Sequence, residues 1–318
     1  DLTIHFGMLS STLYAMWNTK ESYVSYTLIP LLSLLHGKSF VIFHHCGHNN
    51  FTPNTTLNYM IGTLLGITLL TPYSWNYDHE VHHKTSGKED NTLYHRKNET
   101  IHHTFNEYNN MNIIHKYITK VWRSIYLYNT IIPTTQYIVL YRFEILINKL
   151  IYGKYRQNLI IILWDCILNI IGSSLLYVYL NDIDLSFIYI VSIISSYTFN
   201  FVIFHNQHTF NPPYVSKDKE WTKQDSGLKG SSFIQLPKWL SYFFYGDEYH
   251  HIHHMIATIP PYNLKAAHEY LEKTEPEFKN IVKLSMTDCY HNLWLTLYDE
   301  ENDRYISFKE ADEKIKNA

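Results

Sequence analysis

Residues 43–50 read "FHHCGHNN" and close a long apolar run. From residue 39 to residue 77 the chain holds no Asp, Glu, Lys or Arg, yet three of these eight residues are histidine. Imidazole concentrated at the mouth of an oily segment asks for partners, and the chain supplies them. "HEVHH" spans His79–His83, "HNQH" spans His205–His208, and "HHIHH" spans His250–His254.

The bulk numbers hide this pattern. The 318 residues are 46% hydrophobic, and mean hydropathy is −0.22 because the polar half is large and Tyr is abundant. Distribution is more telling than the mean. Residues 185–216 also lack charge, and residues 157–181 carry only Asp165. A bilayer imposes such segregation, since each span needs about 20 residues without stranded charge. The net charge of −3 has no basic stripe behind it, so nucleic acid is not an expected partner. Cys46, Cys166 and Cys289 are too few for a disulfide framework, which fits a reducing, cytosol-facing setting.

Six stretches are apolar enough for membrane contact: 2–18, 23–43, 57–73, 124–141, 158–180 and 185–204. Helix is expected for each, because backbone in a bilayer must satisfy its own hydrogen bonds. For all four histidine clusters to share one face, 57–73 must be re-entrant or interfacial. For the same reason 124–141, with its central Pro133, must not cross. The expected fold is thus an all-α integral membrane protein with four transmembrane helices in two hairpins (2–18 with 23–43, 158–180 with 185–204). Residues 44–157 and 205–318 form a histidine-rich cap on a single domain covering 1–318. Charge agrees: Lys84, Lys88, Arg96, Lys97, Lys116, Lys120 and Arg123 fall on the histidine side, whereas "TKES" (19–22) and "NDID" (181–184) hold one lysine between them. By the positive-inside rule the cap is cytoplasmic.

Spacing gives the histidines their chemistry. His44 and His48 are i, i+4; His79, His82 and His83 form HxxHH, and His250, His253 and His254 repeat it. Such intervals project from one helix face. The donors outnumber what one tetrahedral zinc can use, which argues for two metals. His5, His36, His115 and His291 read as ordinary surface or core histidines, and His95, His102 and His103 lie in a polar loop. Two other classes compete. "HEVHH" satisfies HExxH, a zinc-protease figure with Glu80 as general base, and a histidine-lined metal transporter would want its ligands in mid-span.

With these boxes around two apolar hairpins, the chain resembles the membrane fatty-acid desaturases from about Tyr26 to Glu269. "FHHCGHNNFTPN" looks like their first box, "YSWNYDHEVHHKTSGKEDN" the second, and "GSSFIQLPKWLSYFFYGDEYHHIHHMIATIPPYNLKAAHE" is similar to the third-box region of the acyl-lipid omega-6 (delta-12-like) branch. "QHTF" resembles the place of one further ligand, which maps onto His208 and not His205. The resemblance implies nine ligands for two irons: His44, His48, His79, His82, His83, His208, His250, His253 and His254. It implies O₂ as co-substrate and a cis double bond made in a long acyl chain carried on lipid or CoA. Two electrons would come from cytochrome b5 or ferredoxin, with no haem-binding "HPGG" box in this sequence. Lipid hydroxylation or epoxidation is the sister chemistry. His45 stands where the family usually has an acid, and His251 falls between ligand positions. His45, Asp78, Asp90, Glu248 and Glu269 are candidates to orient the ligands from behind. The final "KIKNA" matches a dilysine retrieval signal for the endoplasmic reticulum if Ala318 is the terminus.

The two readings of "HEVHH" diverge under mutation. If His82 is a ligand, His82→Ala abolishes double-bond formation, while Glu80→Gln leaves measurable product, at a cost of at most about 10- to 100-fold. Fatty-acid methyl ester profiles of expressing cells would read both. The opposite result identifies the protease figure.

Overall fold

The computed structural model describes residues 2–89, 103–217 and 219–317, and the protein is predominantly helical. The helices are, in order, α1 (Leu2–Asn18), α2 (Val24–Thr27), α3 (Ile29–Gly47), α4 (Thr55–Thr68), α5 (Trp75–Thr85), α6 (Phe105–Asn109), α7 (Ile113–Trp122), α8 (Ile132–Thr135) and α9 (Tyr141–Tyr152). They continue with α10 (Leu159–Asp182), α11 (Ser186–His208), α12 (Lys223–Leu228), α13 (Lys238–Phe244), α14 (His250–Met255), α15 (Pro261–Thr274), α16 (Met286–Asn292) and α17 (Phe308–Asn317). Contacts divide the chain into two compact units. Asp1–Asp78, Ile132–Asn200 and Tyr242–Tyr245 make the first; His79–Ile131, Phe201–Ser241 and Gly246–Ala318 make the second.

In the first unit α10 is built inside out. Ile160, Trp164, Ile167, Ile171, Leu175 and Val178 recur every three or four residues and are exposed, while Asp165, Cys166 and Asn169 are buried. A helix with apolar residues outward suits a lipid surround. Its start is fixed by Asn158, whose Oδ1 accepts from the Ile160 amide at 3.0 Å. Among the described residues α10 (24 residues) and α11 (23 residues) are long and apolar enough to cross a membrane. The other two expected spans fall short of that test. Helix α1 has 17 residues, and 23–43 is divided at Leu28 into α2 and the 19-residue α3, which continues to Gly47. Polar residues explain the shortfall, since His36, Lys38, Ser39, His44 and His45 are all buried along α3.

Helix α4 has 14 residues, about 21 Å, too short for a hydrocarbon core of about 30 Å. Backbone amides reach the carbonyls of Leu65, Gly66 and Ile67, and side chains serve those that follow. Asn169 donates to Gly66 O and Thr71 O, both at 2.9 Å, and Tyr189 to Thr68 O at 2.5 Å. Tyr197 donates to Leu69 O, and Arg142 Nη2 to Leu70 O at 2.9 Å. Three helices thus supply a polar collar for the end of a fourth. The 124–141 stretch is also irregular, with π-helical turns at Leu127–Ile131 and Gln136–Leu140 flanking α8 and Pro133.

The second unit is a mesh of short elements. Phe233–Ile234 pairs in parallel with Lys283–Leu284, and Leu297–Asp299 pairs antiparallel with Arg304–Ile306, setting Leu297 opposite Ile306. Beneath the third histidine box, Leu228, Tyr249, Ile252, Leu264, Phe278 and Ile281 form a buried apolar cluster. Two glycines fit the box into place. Gly246 takes φ +100°, and a Cβ there would lie 2.3 Å from Pro261 O. Gly227 brings α12 against α14, where a Cβ would meet His251 O at 2.9 Å.

The collar predicts a measurable asymmetry along α10. Asn169→Leu leaves the Thr71 carbonyl without its side-chain donor, while Gly66 O keeps the Thr71 amide at 2.8 Å, and should destabilise the protein by about 1–3 kcal/mol. The exposed Ile171→Leu should change stability by less than about 0.5 kcal/mol. Thermal unfolding in detergent distinguishes them, and equal effects would refute the collar.

Candidate metal centre

The two HxxHH figures each divide two and one. On α14, His250 and His254 join His82 of α5 and His208, the last residue of α11; one ring nitrogen from each lies within 4.8 Å of all the others. His79, His83 and His253 form a second convergence within the same limit. The i and i+4 members of each box therefore stay together, and the i+3 member serves the other group. Helical phase explains this, because i+3 and i+4 lie on opposite sides of the row above i. In the first unit His44 and His48 face each other across one turn, with Nε2 atoms 3.0 Å apart.

The distances suit coordination. His82 Nε2 lies 3.2 Å from His208 Nε2, His208 Nε2 lies 3.1 Å from His250 Nε2, and His79 and His83 meet at 3.0 Å. Ligands at right angles around an ion with metal–nitrogen bonds of about 2.1 Å are about 3.0 Å apart, and tetrahedral ones about 3.4 Å. Tautomers agree as well. His208 Nδ1 donates to the Gly230 carbonyl at 3.0 Å, leaving a bare lone pair on Nε2. Among the described residues neither ring nitrogen of His254 has a hydrogen-bond partner, although the residue is 1% exposed. Burial, then the surrounding imidazoles, hold His254 well below its ordinary pKa, so it is neutral and ready to ligate. The donor set fits metal ions that accept imidazole.

The remaining histidines go elsewhere. His205 donates from Nε2 to Asn292 O at 2.9 Å, and His251 Nε2 pairs with His268 Nδ1 at 3.0 Å behind the box. Burial pushes the His251 pKa well down. His5 binds Ser39 Oγ at 2.9 Å.

The orienting candidates separate. His45 Nδ1 meets Asn50 Oδ1 at 3.0 Å. Asp78 is held by Lys154 and by the Tyr155 hydroxyl, both at 2.8 Å. Glu248, pushed up by burial, accepts from the Ser241 hydroxyl and the Gly246 amide. Glu269 is exposed, 3.8 Å from Lys265. Asp90 lies outside the described residues. The carboxylate beside His250 is Asp247, with Oδ1 3.6 Å from Nδ1 and Oδ2 accepting from Gln207 Nε2 at 2.9 Å. Sequence reading passed over Asp247 and Gln207, though each lies within three residues of a ligand candidate. The protease reading loses its base. Glu80 is half exposed and paired with Lys84 at 2.5 Å, and the third imidazole beside His79 and His83 is His253, not an acid.

Comparison with known proteins agrees with this arrangement. The model of the Fatty acid desaturase family matches residues 21–282. A fatty acid desaturase of Bacillus subtilis is 27% identical over 303 residues, covering 90% of this chain and 79% of its own. A chloroplastic omega-6 fatty acid desaturase of Glycine max is 25% identical, covering 92% and 68%. A ferredoxin-dependent sn-1 acyl-lipid omega-3 desaturase of Nostoc is 34% identical over 89 residues, 26% of this chain and 24% of its own. Histidine boxes and a match over most of the chain lead to one conclusion: this protein belongs to the fatty acid desaturase family, whose members are oxidoreductases.

Proposed function

We propose that the protein is an O₂-dependent acyl-lipid desaturase that introduces a cis double bond into a long acyl chain at the omega-6 position. The observation that carries this reading is the convergence of His82, His208, His250 and His254 in a chain of this family. Nine histidines would hold two irons: His44, His48, His79, His82, His83, His208, His250, His253 and His254. The inclusion of His44 and His48 rests on their 3.0 Å separation, the same as that of His79 and His83. Iron with O₂ supplies an oxidant strong enough for an unactivated methylene, which redox-silent zinc cannot.

The protein's own groups prepare that chemistry. The Gly230 carbonyl accepts a hydrogen bond from His208 Nδ1–H and so presents Nε2. Asp247, steadied by Gln207, backs His250, and the buried ring of His254 excludes water from its side of the cluster. Residues 2–18 and 23–43 would form one membrane hairpin, and α10 with α11 the other, leaving the histidine side cytoplasmic or its equivalent. Ferredoxin is the favoured donor, named in two relatives. Relatives from bacteria and chloroplasts lend no support to the endoplasmic reticulum address read from "KIKNA". Lys314 of that tail is engaged by Asp299 at 3.1 Å and Glu301 at 2.9 Å.

Two measurements test this reading. Elemental analysis of protein made in iron-supplemented cells should give two irons per chain, falling by at least one in His254→Ala and unchanged in His251→Phe. One zinc per chain, insensitive to His254→Ala, would end the diiron assignment. Expression in a host rich in monounsaturated lipid, with a ferredoxin supplied, should yield a new double bond six carbons from the methyl end. A hydroxylated product would instead place the enzyme with the hydroxylases on the same metal shell.

A further inference from the structure

Helix α7, in the second unit, is folded with its oily side out. Asn112 caps it, Oδ1 accepting from the His115 amide at 2.9 Å. Ile113, Ile114, Tyr117, Ile118, Val121 and Trp122 stand at i, i+1, i+4, i+5, i+8 and i+9, which at about 100° per residue gather on one half of the helix. All six are exposed, from 40% at Val121 to 79% at Ile113. The polar half is the one that meets the protein. Lys120 donates to Asp312 Oδ2 at 2.5 Å, Thr119 Oγ1 donates to Met111 Sδ at 3.6 Å, and the Lys116 ammonium lies 5.4 Å from the centre of the Tyr108 ring. A helix on a water-facing surface does the opposite.

Three observations say what covers the apolar half. No Asp or Glu occurs from residue 108 to residue 143, whereas Lys116, Lys120 and Arg123 belong to the helix and its cap, so the local charge suits phosphate. Tyr117, Trp122 and the exposed Tyr126 are rings with one apolar body and one polar edge, which partition to the boundary between membrane and water. Exposed apolar residues also continue along the chain, through Ile131 to Val139, Leu140, Phe143 and Ile147 in the unit that contains α10 and its outward stripe. With 10 residues α7 is about 15 Å long, half of what a crossing needs, so it can only lie flat.

We propose that α7 docks on a phospholipid bilayer surface, lying in its plane with the six apolar side chains at the boundary between headgroups and acyl chains. Lys116 and Arg123 then stand at the level of the lipid phosphates. The second unit thereby holds a membrane contact of its own, in a region that sequence reading assigned to the cap. This contact rests on the membrane placement proposed above and not on the reaction.

The test uses the full chain in nanodiscs of phosphatidylcholine and phosphatidylglycerol, with an environment-sensitive fluorophore on one introduced cysteine. Cys46, Cys166 and Cys289 are buried, so the introduced thiol is the one that reacts. Ile118→Cys reports on α7, Asn302→Cys on an exposed polar position of the same unit, and Ile171→Cys on the outward stripe of α10. Lipid spin-labelled near the headgroup should quench the label at 118 at least about threefold more than the label at 302, and aqueous iodide should do the reverse. Adding Ile114→Glu and Tyr117→Glu should bring the label at 118 within reach of iodide, with thermal unfolding unchanged because both side chains are exposed. Lipid quenching that persists in that variant would overturn the docking role of the apolar half. Iodide reaching 118 as readily as 302 would place the face in water, and a label shielded from both quenchers would place it under protein such as a second copy; either overturns the proposal. Lipid quenching at 171 without quenching at 118 overturns the α7 contact alone, whereas loss of both overturns the membrane placement on which it rests.

Discussion

A neutral imidazole has one proton, and that limit governs the second unit. His208 donates its Nδ1 proton in a hydrogen bond to the Gly230 carbonyl, yet its other nitrogen faces both His82 and His250 at 3.1–3.2 Å. At most each neighbour could donate one proton toward it, and among the described residues neither ring nitrogen of His254 has a hydrogen-bond partner. Hydrogen bonding therefore does not account for the cluster. The donor set is one that could hold a metal ion, a shared partner able to stand in for protons.

The arrangement has a scaffold that lies behind the histidines. Ile252 is fully buried among Leu228, Leu264 and Phe278, so α14 is fixed by its apolar back. Gly227 lets α12 approach that helix, and Gly246 turns the chain into it with a backbone conformation other residues avoid. His251, the one box histidine facing away, closes the rear through His268. Six residues thus carry three inward imidazoles, one outward imidazole and one core anchor, which explains how little freedom this segment retains.

Much of this was legible in the sequence because it is local. The i, i+4 relations in "HEVHH" and "HHIHH" and the uncharged stretches over α10 and α11 all depend on residues near one another in the chain. The two-plus-one division of the boxes was not legible, since it depends on the phase at which α5 meets α14. Asp247 was overlooked beside Glu248 for a related reason: adjacent acids look alike until the left-handed Gly246 decides which one turns toward His250. The polar collar of Arg142, Asn169, Tyr189 and Tyr197 gathers residues from three helices around carbonyls of a fourth, and no pattern in one segment announces it. The break at Leu28 was hidden in an apolar run whose local turn, not its hydrophobicity, ends the helix.

The reversed polarity of α10 bears on how such a protein could be handled outside a bilayer. Its polar residues Asp165 and Asn169 already have partners inside, Asp165 with the Tyr59 hydroxyl at 2.6 Å and Asn169 with two carbonyls. Its outward stripe, from Ile160 to Val178, makes no comparable internal commitments. Packing and surrounding medium are therefore encoded by different faces of one helix. Replacing Ile160, Trp164, Ile171, Leu175 and Val178 with Glu, Lys and Gln would alter the solvent this helix accepts while leaving its neighbours in place. The route to a water-compatible version of this unit runs through the residues that touch the protein least.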